Sequence, residues 1–294
     1  MATSIDSART LLSQAMHLCL RHGLICLTAL VAMSLTSMLA LYAAGHCSLS
    51  AIADCVSPAA YRWSDDDAYF QYAVATKGTK YGGWVVLTIA QWYLFSRSSG
   101  ESSAAAVLSE RGFRFTGRMI VYWIVFSLPD PLFDLLMSYV VRPALGQESK
   151  AIWVAFLGLS AIGAAAVAYL HAKIAFYIPA AVYQNQPMSF AQSWRATHPV
   201  TRVLFLALLP LETLGVAVTL ALWYFGDEIP GMITLSAHVA VWSGMNPGTA
   251  SYALKADIAS TLSAALVTLM AAATSIVAYR AVFANDQRIV TVFD

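Results

Sequence analysis

"FSLPDPLFDLL", residues 126–136, decides how this chain is built. It lies inside an apolar run, Met119–Val141, and places Pro129, Asp130, Pro131 and Asp134 where hydrocarbon is expected. The residue before a proline avoids helical dihedrals. Aspartate is a strong N-cap, and proline suits the first helical position. The stretch therefore predicts a run broken into two helical pieces, about 119–128 and 131–141, with Asp130 capping the second. Asp134 falls one turn on, on about the same face. Each piece alone is too short to cross a bilayer. At mid-membrane, such a break is how many transporters build ion and substrate sites. Near the outer interface, or in a re-entrant segment, capping explains one acid and water the other.

Whether hydrocarbon surrounds this run follows from the rest of the chain. Of 294 residues, 59% are hydrophobic and 11% charged, against about a quarter charged in a soluble domain. Apolar stretches recur along the whole length, which marks spanning helices. Six spans are expected, approximately Leu24–Ala44, Tyr81–Ser96, Met119–Val141, Ala151–His171, Val203–Phe225 and Ile258–Phe283. Several carry aromatic anchors near their ends, among them Trp92, Trp153 and Trp223. The class is an all-α, polytopic transmembrane helical bundle, a single membrane domain over 1–294. A net charge of +1 gives no basic field for nucleic acid.

With the N-terminus in the cytoplasm, 11 of the 17 Lys and Arg fall inside and 6 outside. That bias agrees with the positive-inside rule, and an even number of spans puts both termini in the cytoplasm. Residues 1–23 read as an amphipathic helix on the inner surface that runs into the first span. A long outside loop, 45–80, follows, and an oxidising periplasm would permit a Cys47–Cys55 disulfide there. Within the loop, Ser64 and Asp65, Asp66 and Asp67 start a well-capped helix that Gly78 closes. Neither cysteine pair has the spacing of a zinc site.

Candidate polar groups inside the spans are few. Glu212, two residues after Pro210 in "LLPLETLGV", repeats the pattern of an acid beside a proline, and Gln91 adds an amide to the second span. With Asp130 and Asp134 they form the ion or polar-cavity candidates, if the fold brings them together. Arg111, Arg114 and Arg118 are spaced to face anionic headgroups. Lys173 is expected to snorkel to the interface, and His171 reads as an ordinary interfacial group at the end of the fourth span. "FAQSWRATH" reads as an in-plane amphipathic helix within 184–199, capped by Ser189. In it Phe190 and Trp194 face the membrane, and Arg195 and His198 face the headgroups. No phosphate loop or nucleophile elbow is present. No catalytic residue, metal site or cofactor is therefore expected.

The second half also carries a likeness. Lys173, Pro179, Ala180, Val182, Ala191, Ser193, Trp194 and Thr197, with Tyr279 and Arg280 at the last span, form a pattern over roughly 170–283. It resembles a bacterial integral membrane family that includes the membrane domain attached to some glycerophosphodiester phosphodiesterases. Gln184 and Gln186 stand where that family often has an acid. The resemblance implies a helical inner-membrane bundle without phosphodiesterase activity, whose catalytic barrel is a separate domain. The expected function is an accessory or assembly subunit of a larger membrane complex, with lipid and other membrane subunits as partners. A transporter or channel using Asp130, Asp134 and Glu212 is the alternative, and a lipid-acting membrane enzyme the second.

Overall fold

A computed structural model describes residues 7–46, 67–99, 110–145, 150–183, 188–229 and 231–283. Among them every regular element is a helix. In chain order these are α1 (Ala8–Arg21), α2 (Gly23–Gly45), α3 (Asp67–Ser99), α4 (Glu110–Ser127), α5 (Pro129–Leu136), α6 (Lys150–Ile174), α7 (Pro179–Tyr183), α8 (Phe190–Ala196), α9 (Thr201–Phe225), α10 (Met232–Ser243) and α11 (Pro247–Phe283). A π-helical turn, Met137–Val141, and a short turn of helix follow α5. Four stretches are long and apolar enough to cross a membrane: Gly23–Gly45, Val154–Tyr183, His198–Leu222 and Pro247–Phe283. Their outward faces carry residues no soluble surface would expose together, such as Leu24, Val154, Ile162 and Leu214. This is a membrane protein.

The chain forms two compact units. The first comprises Met1–Ile25, Thr88–Val216 and Leu266–Asp294, and the second Cys26–Leu87 and Ala217–Ala265. The first unit's core joins Trp92, Phe95, Phe115, Met119, Tyr177 and Ile276, with a neighbouring cluster around Phe176, Leu204, Leu208 and Tyr279. The second is centred on Leu41, Ala75, Val239, Ala250 and Leu254.

The structure adds to or changes four readings. First, α1 buries one face: Leu11 and Ala15 are fully buried in the first unit's core. Its cap is local, with Ser7 Oγ accepting from Thr10 N. Second, Gly78 does not end a helix, because α3 runs unbroken through it to Ser99. The reason is packing. A Cβ at Gly78 would sit 2.9 Å from Ala40 Cβ, and one at Gly82 would collide with Thr36. Gly78 and Gly82 are the small residues of a G-x-x-x-G face that lets α3 lie directly on α2, a contact worth more than a glycine costs mid-helix.

Third, the break in "SLPDP" falls at Leu128, so that Pro129 opens α5 and Asp130 lies within its first turn instead of preceding it. Either proline meets the φ requirement of a first turn, and neither needs the N–H it lacks there. Fourth, the segment between the last two expected spans, 226–257, contains α10. At 12 residues α10 is too short for a span. It packs through Met232, Val239 and Ala240 and closes on Gly244, whose φ of 77° suits glycine. Cys47 and Cys55 lie outside the described residues.

Candidate functional site

The site is built where α6 breaks. Pro179 cannot donate a backbone hydrogen bond, so the helix cannot continue unaltered through Ala175–Ile178. Tyr177 N instead bonds Ile174 O at 2.9 Å, and Ala181 N bonds Ile178 O at 3.0 Å, both with the tighter three-residue spacing. That leaves the carbonyls of Lys173 and Tyr177 for side chains. Thr197 Oγ1, fully buried, donates to Lys173 O at 2.9 Å. Arg118 Nη1 donates to Tyr177 O at 2.8 Å while its guanidinium lies over the Tyr177 ring at 4.4 Å. A break in apolar surroundings is tolerated because both freed acceptors are satisfied.

One turn before the break stands His171. The sequence reading placed it at the end of a span, but the apolar stretch continues to Tyr183. At 1.5 Å per residue, His171 is about 25 Å along from Val154, and Glu212 about 21 Å from His198 and 15 Å from Leu222. Both groups therefore lie on stretches long and apolar enough to cross a membrane. Nδ1 of His171 and Oε1 of Glu212 are 2.6 Å apart, and both side chains are largely buried, 12% and 14% exposed. The Tyr122 hydroxyl hydrogen-bonds Nε2 of the same imidazole. Phe126 stacks on the ring with centroids 3.9 Å apart, fixing its plane.

A carboxylate on Nδ1 sets the tautomer: Nδ1–H donates to Glu212, and Nε2 accepts from Tyr122 O–H. The result is a continuous chain, Tyr122–His171–Glu212, across three helices, α4, α6 and α9. A group oriented by an imidazole that is itself oriented by a carboxylate is the geometry of proton transfer. Gln91, 4% exposed, borders the same place, and its Nε2 has no hydrogen-bond partner among the described residues. With Tyr122, His171 and Ser275 it lines a cavity holding about 20 Å³ that water can occupy, room for about one water molecule.

Of the polar-cavity candidates, Glu212 and Gln91 thus reach the same locality. The side chains of Asp130 and Asp134 lie outside the described residues. The residue the sequence reading passed over is His171. One signal was available, the apolar continuation beyond it to Tyr183, which keeps it within a stretch apolar enough to cross a membrane, where a titratable group is a functional candidate by default.

The expected surface contacts divide. Lys173 does not extend freely: it is 6% exposed, with its ammonium over the rings of Trp194 and Tyr169 at 5.3 and 5.8 Å. Arg118 is spent on the Tyr177 carbonyl, and Arg114 lies 3.7 Å from Glu110. Arg111 is half-buried. Arg195 and Trp194 are exposed on α8. Ser189 and Gln192 form the capping box that starts this helix. Phe190, expected to face lipid, stacks on Tyr177 at 4.0 Å between centroids. Tyr177 is the better partner because the break already presents its ring.

Compared with protein-family models, curated proteins and solved structures, the chain matches none. Function rests on the site itself. Among the described residues, no group of three or more His, Cys, Asp or Glu is placed to hold a metal ion.

Proposed function

We propose that this is a multi-pass inner-membrane protein that moves protons, as a proton-coupled transporter, through the Tyr122–His171–Glu212 chain. The observation that carries the proposal is Glu212 held 2.6 Å from an imidazole whose other nitrogen meets a phenol, with the acid and the imidazole both on stretches apolar enough to cross a membrane. An acid and a histidine are costly there, and such chains serve as proton relays in pumps and transporters. Size favours this over lipid chemistry. About 20 Å³ admits water and no lipid headgroup. The accessory-subunit reading asks nothing of these three side chains. Six spans with both termini in the cytoplasm complete the proposal, supported by the 11-to-6 distribution of basic residues.

The test is a full-length preparation in liposomes with a pH-sensitive dye inside and an imposed membrane potential. The proposal expects proton flux above that of empty liposomes, lost with Glu212→Gln and strongly reduced with Tyr122→Phe. Flux absent from the wild type, with and without candidate solutes, or unchanged in both variants, overturns it and leaves the accessory role.

A further inference from the structure

The second unit holds a cavity of about 390 Å³ between α2, α10 and α11, unrelated to the relay. That volume is within the range of small-molecule sites. Its walls are almost wholly apolar, with Met38, Leu235, Trp242, Leu254 and Leu262 among them. Two titratable groups interrupt them, His238, whose Nδ1 hydrogen-bonds Thr234 O at 2.7 Å, and a single acid. Asp257 borders the cavity, is 2% exposed, and neither carboxylate oxygen has a hydrogen-bond partner among the described residues. The Thr79 hydroxyl lies near it and is likewise without a hydrogen-bond partner among the described residues. The neighbouring Lys255 directs its ammonium over the Tyr252 ring, 5.7 Å away. Ser37 and Thr261 also line the cavity, and their hydroxyls are paired with each other at 3.1 Å.

The register explains the placement. Leu254, Asp257, Ile258, Thr261 and Leu262 recur at three- and four-residue spacing, so one stripe of α11 forms a wall of the cavity. An acid in that stripe is a poor choice for packing and for holding an acyl chain, since a buried carboxylate is stable only when paired or neutralised. A bound cation supplies the pairing. The exposed Trp242 indole adds a face that attracts cations.

We infer that this cavity binds an apolar molecule carrying a single positive charge, a lipophilic cation, whose charge sits at Asp257. The apolar walls select bulk and the carboxylate selects charge. The inference stands independently of the relay.

The probe is tetraphenylphosphonium, with neutral triphenylphosphine oxide as its uncharged aromatic counterpart. Binding is measured by equilibrium dialysis against the full chain in nanodiscs of uncharged lipid, with empty nanodiscs as background. The expected result is saturable binding of the cation, at least tenfold tighter than that of the neutral compound. Asp257→Asn should weaken it at least tenfold with unchanged helical circular dichroism. Leu235→Trp, which fills the cavity from α10 and leaves the acid intact, should do the same, and it decides the matter if Asp257→Asn fails to fold. No saturable binding, equal binding of the two probes, or wild-type affinity in the folded variants overturns the inference.

Discussion

Replacing Thr197 by valine removes one hydroxyl and almost no volume. Thr197 is fully buried, and its Oγ1 donates to Lys173 O at 2.9 Å, with Ser193 O at 3.0 Å also in reach. The Ser193 carbonyl is already bonded by Thr197 N at 2.9 Å, so it does not depend on the side chain. The Lys173 carbonyl does depend on it, because Tyr177 N is bonded to Ile174 O instead. Valine therefore leaves one buried acceptor unsatisfied, at a cost of about 1–3 kcal/mol. Because valine conserves shape, no cavity term adds to this. Thr197→Ser keeps the hydroxyl and loses a methyl group, which costs about 1 kcal/mol. Thermal unfolding of the purified protein in mild detergent, followed by intrinsic tryptophan fluorescence, orders the three as wild type, Ser, Val. A valine variant as stable as wild type refutes the claim that this hydroxyl holds the break open.

Gly82→Val should destabilise the second unit by about 1–3 kcal/mol, since the added atoms collide with Thr36 on α2; pairing it with Thr36→Gly should recover part of the loss in the same unfolding assay. Arg118→Met should lower stability by about 1–3 kcal/mol by stranding the Tyr177 carbonyl, and Lys should restore less than the full loss because it lacks the planar stack over the ring. His22, just before the first span, has its pKa lowered from 6.5 by burial and then by Arg21, Arg97 and Arg280. Its folded pKa lies below the unfolded one, so its contribution is full above about pH 6.5 and is lost as pH falls through the folded value. His22→Asn should flatten the stability profile in that acidic window and change nothing above pH 7.5.

Much of the architecture is legible in the sequence because membrane insertion is a matter of composition and length. The α2 and α9 stretches coincide closely with the expected spans. The proline break at 126–136 also appears, one to two residues earlier than the capping rule places it. What escaped depends on contacts between segments distant in sequence. Gly78 ends a helix by local rules, yet Ala40 of α2 makes it an interior residue. Lys173 snorkels by local rules, but Trp194, 21 residues on, gives its ammonium an aromatic seat. Glu212 was visible as an intramembrane acid. Its partner His171 lies 41 residues away on another helix, and no spacing rule joins them. Asp257 escaped for the opposite reason: as one acid in a polar-looking run, "YALKADIAS", it gives no sign of burial until α2 and α10 are packed on it.

The central claim is that Tyr122, His171 and Glu212 share protons within the membrane. It is tested most directly by pH-difference infrared spectroscopy of the protein in lipid. The account predicts a carboxylic C=O band that rises and falls with pH, disappears in Glu212→Gln, and shifts in frequency with Tyr122→Phe. A carboxyl band absent at every pH, or one that ignores both substitutions, would show a fixed structural contact and contradict it.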